Sequence, residues 1–206
     1  LITYISKMLL NNTELAILEP FVLNYGARLT GSTIAKSGRL NQKTVSNYLK
    51  GLERQNFLKS ITEGKNKLYF LNLNDEQLIV NFISAIENAR AIHFYQKRPL
   101  IKEIITKILP HISGISLIFG SYAKGNEKEG SDLDIFIAGS ADEAEIDKIA
   151  NTYHLEINLK KYTLPEFKKA LKENDPLTKE VIKSHILMQN AQEFVRCVRD
   201  AEYGND

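Results

Sequence analysis

The sequence predicts an α/β, or α+β, chain built of two modules with helices between them. Three observations carry that expectation. Residues 1–74 run through short amphipathic stretches separated by polar turns and end in a hairpin pattern. Residues 75–110 read as a helical connector broken at Arg98-Pro99. Residues 111–206 mix short β-branched runs with helical ones, the pattern of a small mixed sheet with flanking helices.

Composition bounds the function classes. Of 206 residues, 43% are hydrophobic and 25% charged, as in ordinary soluble globular proteins. One cysteine, Cys197, excludes an intrachain disulfide and a cysteine-based zinc site. No apolar run approaches the roughly 18 residues that span a bilayer. The opening LITYISKMLL is interrupted by Lys7 and has no basic leader, so it does not read as a signal peptide. The expectation is a cytoplasmic protein with no membrane partner.

Net charge is only +2, but it is unevenly placed. Residues 1–74 hold ten Lys and Arg against four Glu, a net of +6, so the remainder carries −4. A basic first module beside an acidic second one points the first toward a polyanion.

The elements of the first module follow in order. Glu14 to Tyr25 has apolar residues near helical spacing, with Pro20 predicting a kink or late start and Gly26 an end. Thr30 is a candidate N-cap for the short helix GSTIAKSG, closed by Gly38. In NQKTVSNYLKGLERQNF, Val45, Leu49 and Leu52 share one face, and Gln42, Lys43, Ser46, Asn47, Lys50 and Arg54 share the other. Cations suit phosphates, and short polar side chains suit base edges. The stretch LKSITEGKNKLYFLN reads as two strands around a Glu63-Gly64-Lys65-Asn66 turn, with Leu68 and Phe70 alternating with Lys67, Tyr69 and Leu71. In this order the segment resembles a winged helix-turn-helix of the prokaryotic transcription-regulator kind. The resemblance implies nucleic-acid contact through Lys43, Ser46, Asn47, Lys50, Arg54 and the wing-tip Lys65. Winged helices also serve as dimerisation or protein-binding modules.

In the connector, Asn74 or Asp75 can cap a long helix whose stripe is Leu78, Ile79, Phe82, Ile86 and Ala89. That bulky face would also suit a homodimer interface. His93, a lone histidine beside Phe94 and Tyr95, reads as a packed or surface residue. LIKEIITKIL is a second helix ending at Pro110.

The second module carries the chemistry. SLIF, Ser116 to Phe119, reads as a short buried strand running straight into Gly120-Ser121 at a helix start. Such a junction offers backbone N–H groups and a hydroxyl to an anion, and glycine lets a phosphate approach. In SDLDIFI, Asp132 and Asp134 fall on one face of a second strand, with Leu133, Ile135 and Ile137 on the other. Carboxylates between apolar residues are costly unless neutralised, and two aimed at one point suit Mg²⁺ or Mn²⁺ with phosphate oxygens.

Gly120, Ser121, Gly125, Ser131, Asp132 and Asp134 together resemble the DNA polymerase beta nucleotidyltransferase superfamily, in particular its minimal nucleotidyltransferase branch. The resemblance implies a metal-dependent transfer of a nucleoside monophosphate from a nucleoside triphosphate, with ATP the expected donor, to a hydroxyl acceptor. It places Gly120, Ser121, Lys124 and Ser131 at the nucleotide, with Lys124 where many members carry Arg. It also implies a third carboxylate on a later strand, here YHLEINLKKY. Glu156 is the candidate for that catalytic and metal-binding role, with Asn158 the competing position. The acceptors left open are a partner protein, a transfer RNA or a small hydroxylated molecule. The competing function is a DNA-binding transcriptional regulator whose nucleotidyltransferase domain only binds nucleotide. The remaining stretch reads as helix, helix, short strand and terminal helix, with a Thr163–Glu166 capping box and a structural His185.

Overall fold

The computed structural model describes residues 10–203, so nearly all of the LITYISKMLL stretch lies outside the described residues. The chain divides into two compact units between Ala89 and Arg90. That division falls inside the long connector helix. Among the described residues no helix is long and apolar enough to cross a membrane.

The first unit starts with α1, Asn12–Val22. Asn11 caps it by accepting from the Thr13 and Glu14 N–H groups, and Glu14 reaches back to the Asn11 N–H. This capping box sets the start earlier than the Glu14 expected from the apolar spacing. Pro20 lies inside the helix, which ends at Val22 with Leu23 as C-cap rather than at Gly26. Strand β1, Leu29–Thr30, leads into α2, Gly31–Ser37, with Thr30 as N-cap and Gly38 as C-cap. Helix α3, Gln42–Arg54, is capped by Asn41 and buries Val45, Leu49 and Leu52, the expected face. The hairpin β2, Leu58–Glu63, and β3, Asn66–Leu71, pairs antiparallel, and β1 adds to the outer side of β3. Tyr69 and Leu71 are the buried residues of β3, whereas Leu68 and Phe70 are half-buried. Helices, turn and hairpin in this sequence form a winged helix-turn-helix.

Helix α4, Glu76–Gln96, begins where Asp75 accepts from the Leu78 N–H. In the first unit it buries Ile79, Val80, Ile83, Ile86 and Ala89, whereas Leu78 and Phe82 of the expected stripe are half-buried, and Phe82 stacks on Phe57 at 4.0 Å between centroids.

The second unit takes the end of α4, then α5, Pro99–Ile108, with Pro99 in its first turn. Its sheet has four strands: β4 is Ile112–Ile118, β5 Leu133–Ala141, β6 Ile157–Tyr162 and β7 Ile186–Gln189. The order is β6-β5-β4-β7, with β5 and β6 parallel and the other pairs antiparallel. Helix α6, Gly120–Lys124, lies between β4 and β5, and α7, Glu143–Thr152, between β5 and β6. Helices α8, Leu164–Lys172, α9, Pro176–Lys183, and α10, Ala191–Tyr203, follow the expected tail pattern, including the Thr163–Glu166 capping box.

Alternation along β5 sorts its side chains. Leu133, Ile135 and Ile137 join an aliphatic core with Ile104, Ile105, Ile108 and Ile146 from α5 and α7. On the other face, the Phe136 ring meets Tyr162 and Phe167, and Phe167 stacks toward Phe194. His185 is fully buried against Phe194, and its carbonyl accepts from buried Arg90. That is a packing role.

Candidate nucleotide site and nucleic-acid interface

Strand β4 runs out at Ile118, and Gly120 turns the chain into α6 with φ of +69°. Two constraints demand glycine there. The left-handed backbone disfavours a side chain, and a Cβ would stand 2.1 Å from Asp134 Oδ2. The Asp134 carboxylate therefore sits directly against the Gly-Ser turn, and the Phe119 N–H donating to the Asp134 carbonyl at 3.0 Å ties the two segments together. Helix α6 is one short turn, closed by Gly125 in the left-handed region. Ser131 closes the following loop, its hydroxyl accepting from the Lys128 N–H at 2.8 Å.

Asp132 lies one residue before β5 rather than within it, and Asp134 is the second residue of the strand. Both are half-buried. The parallel register sets Asp134 beside Asn158, and the Asn158 amide donates to Asp132 Oδ2 at 3.2 Å. The Asp134 carboxyl is pushed above its ordinary value by burial. The neighbouring charges of Asp132 and Glu180 add to the rise, while the Asn158 amide and the Lys160 ammonium act against it.

For the third position the sequence offers Glu156, with Asn158 in competition. Glu156 precedes β6, its side chain is exposed, and its carbonyl accepts from the Leu133 N–H at 2.8 Å. Among the described residues no three His, Cys, Asp or Glu side chains gather as a metal site. Asn158 adjoins the pair Asp132 and Asp134 through its amide and the strand register. Two carboxylates and an amide fit a hard cation that fills its remaining positions with water and phosphate oxygens. They do not provide the three carboxylates that a pair of metals would share.

Lys124 is the cation expected at the nucleotide. Its ammonium forms an exposed ion pair with Glu180 of α9 at 3.0 Å. Lys160, two residues beyond Asn158 on β6, is the cation that acts on Asp134 from the strand itself. Neither Glu180 nor Lys160 could be read from local pattern, because each reaches the acid pair only through the packing of the sheet and α9.

In the first unit, α3 presents Lys43, Asn47, Lys50 and Arg54 as exposed side chains, with Ser46 half-buried. Lys65 is exposed at the Gly64-Lys65 turn between β2 and β3. A groove between α3 and the wing is lined by Asn47, Lys50, Glu53, Arg54 and Lys67. Glu53 is held below the usual carboxylate range by hydrogen bonds from Lys67 and Ser60.

These geometries can be set against known proteins. Residues 100–193 match the family model described as polymerase beta, nucleotidyltransferase. The match spans the sheet, the Gly-Ser turn and the acid pair of the nucleotidyltransferase-like unit. Among solved structures, the chain is similar to MepR, a transcription regulator of the Staphylococcus aureus multidrug efflux pump MepA. Identity is 22%, over 52% of this chain and 84% of that one, with a TM-score of 0.34. A likeness that loose carries no weight beside the topology of the first unit. No curated protein matches the chain.

Proposed function

We propose that the second unit binds a Mg²⁺–nucleoside triphosphate, with ATP the expected donor and Mn²⁺ an alternative ion, and transfers the nucleoside monophosphate to a hydroxyl acceptor. The winged helix engages nucleic acid. One observation carries the nucleotide reading: the Asp134 carboxylate lies against Gly120, so the acid pair and the Gly-Ser turn share one place. The family match over residues 100–193 supports nucleotidyl transfer as the general chemistry.

Asp132 and Asp134 would hold the cation, and Ser121 with nearby backbone N–H groups would hold phosphate oxygens. The cation, when bound, offsets charge on the triphosphate. The acceptor oxygen forms a bond to the α-phosphorus, and the bond to the bridging oxygen breaks to release pyrophosphate. The acceptor's proton needs a base. A carboxylate of Asp132, Asp134 or the neighbouring Glu180 can accept it, whereas the Asn158 amide cannot. Lys160 stands where it could counter phosphate charge.

Asn158 favours a second reading, in which the unit binds nucleotide without transferring it and reports nucleotide level to a DNA-binding regulator. Incubation with each of the four labelled triphosphates and a cell extract, with and without Mg²⁺, separates the two. Incorporation that is lost in Asp132→Asn supports transfer to a protein, nucleic-acid or small-molecule acceptor. Absent incorporation, with Mg–ATP binding by calorimetry that Asp132→Asn abolishes, supports sensing. In the sensing case Asn158→Asp restores a third carboxylate and should bring incorporation above background. A wild type that binds no Mg–ATP sinks both readings.

A further inference from the structure

Glu53 is an acid in a groove whose other charged side chains are cations. It sits on the last turn of α3 beside Lys50 and Arg54, facing the wing. On charge alone it should weaken attraction for phosphates. Its contacts give it another purpose. One carboxylate oxygen accepts from the Ser60 hydroxyl on β2, and the other takes the Lys67 ammonium on β3 at 2.7 Å. Lys67 also lies 5.0 Å from the Tyr69 ring centroid, so its position is set from two sides. A single carboxylate on the helix thus holds both strands of the wing.

We propose that Glu53 is a positioning residue for nucleic-acid binding, fixing the wing to α3 so that Lys65 at the wing tip meets the same duplex as Lys43, Lys50 and Arg54. This rests on the reading that the winged helix binds nucleic acid. β1 and the buried Leu58, Tyr69 and Leu71 fix the base of the hairpin, and Glu53 engages it farther out, at Ser60 and at Lys67, two residues from Lys65. Releasing the clip would leave the helix contacts intact while the tip contact loses its preorganisation.

The test uses the full chain and a labelled mixed-sequence DNA duplex, titrated over a range of salt concentrations. Glu53→Lys adds positive charge to the groove and breaks the clip, and Lys67→Glu breaks it from the other side. The double variant restores the pair in reverse with no net change of charge. Glu53→Lys should bind about tenfold more weakly than wild type despite its added charge, and the double variant should recover most of the loss. Glu53→Gln, the milder change, should also bind more weakly, with a thermal midpoint close to wild type. Tighter binding by Glu53→Lys or Glu53→Gln shows that Glu53 acts only as a repelling charge and overturns the proposal. So does a double variant no better than the weaker single one. A wild type that does not retard the duplex at low salt overturns the nucleic-acid reading itself, and this proposal with it.

Discussion

At Gly120 the backbone turn and the acid pair impose conditions on the same atom. Gly120→Ala should cost about 1 kcal/mol from the left-handed backbone alone. Its Cβ must also displace the Asp134 carboxylate, so Mg–ATP affinity should fall by about 10- to 100-fold. Calorimetry of binding beside thermal melts separates the two effects. A variant that melts lower but binds normally would show that the carboxylate position does not matter. Asp134 carries its own pH signature. Its folded-state pKa is raised, so the native state holds the proton more tightly than the unfolded chain. Stability from this group is present below the unfolded pKa and is lost as pH rises through the raised value. Asp134→Asn, measured without divalent metal, should therefore be more stable than wild type at pH 7.5. The difference should shrink as the pH falls through the raised value and vanish below the unfolded one. A difference that grows toward acid would contradict burial and like charge as the cause. The same residues mark what was legible. Gly-Ser and Asp-x-Asp announce themselves in one short stretch. The choice between Glu156 and Asn158 could not be made there, because it depends on parallel pairing between β5 and β6, set by packing rather than by local spacing.

Elements were legible where their determinants are neighbours in sequence. The Thr30 N-cap, the α3 apolar face and the Thr163–Glu166 capping box all depend on spacings of three or four residues, and all are present. The start of α1 was misplaced because apolar periodicity outranked a capping box that was equally local. The buried residues of β3, by contrast, are chosen by what packs on the hairpin. Two outcomes belong at this scale. Asn41 accepts from the Lys43 and Thr44 N–H groups at the start of α3, so Asn41→Ala should cost about 1 kcal/mol, read as a lowered urea midpoint. Lys43→Ala with Lys50→Ala should weaken duplex binding and make the log–log salt dependence shallower by about two units. Unchanged affinity at every salt concentration would remove α3 from the interface.

For the whole chain, the acid pair and α3 belong to different compact units. Asp132→Asn keeps side-chain shape and removes one charge. It should abolish Mg–ATP binding while leaving the thermal midpoint and the duplex affinity of the nucleotide-free protein within about twofold of wild type. A parallel loss of duplex binding would mean that Asp132 supports the first unit as well. By itself the sequence determined the order of modules, the basic character of the first, the helix caps and the Gly-Ser and aspartate motifs, because these lie in composition and in spacings of a few residues. Only the tertiary structure decided that Asn158 stands with the acid pair, that Lys124 pairs with Glu180, that the Lys160 charge acts on Asp134, and that Glu53 bonds to both strands of the hairpin. Each of those joins residues well apart in the chain, and only the packing of strands and helices brings them within reach.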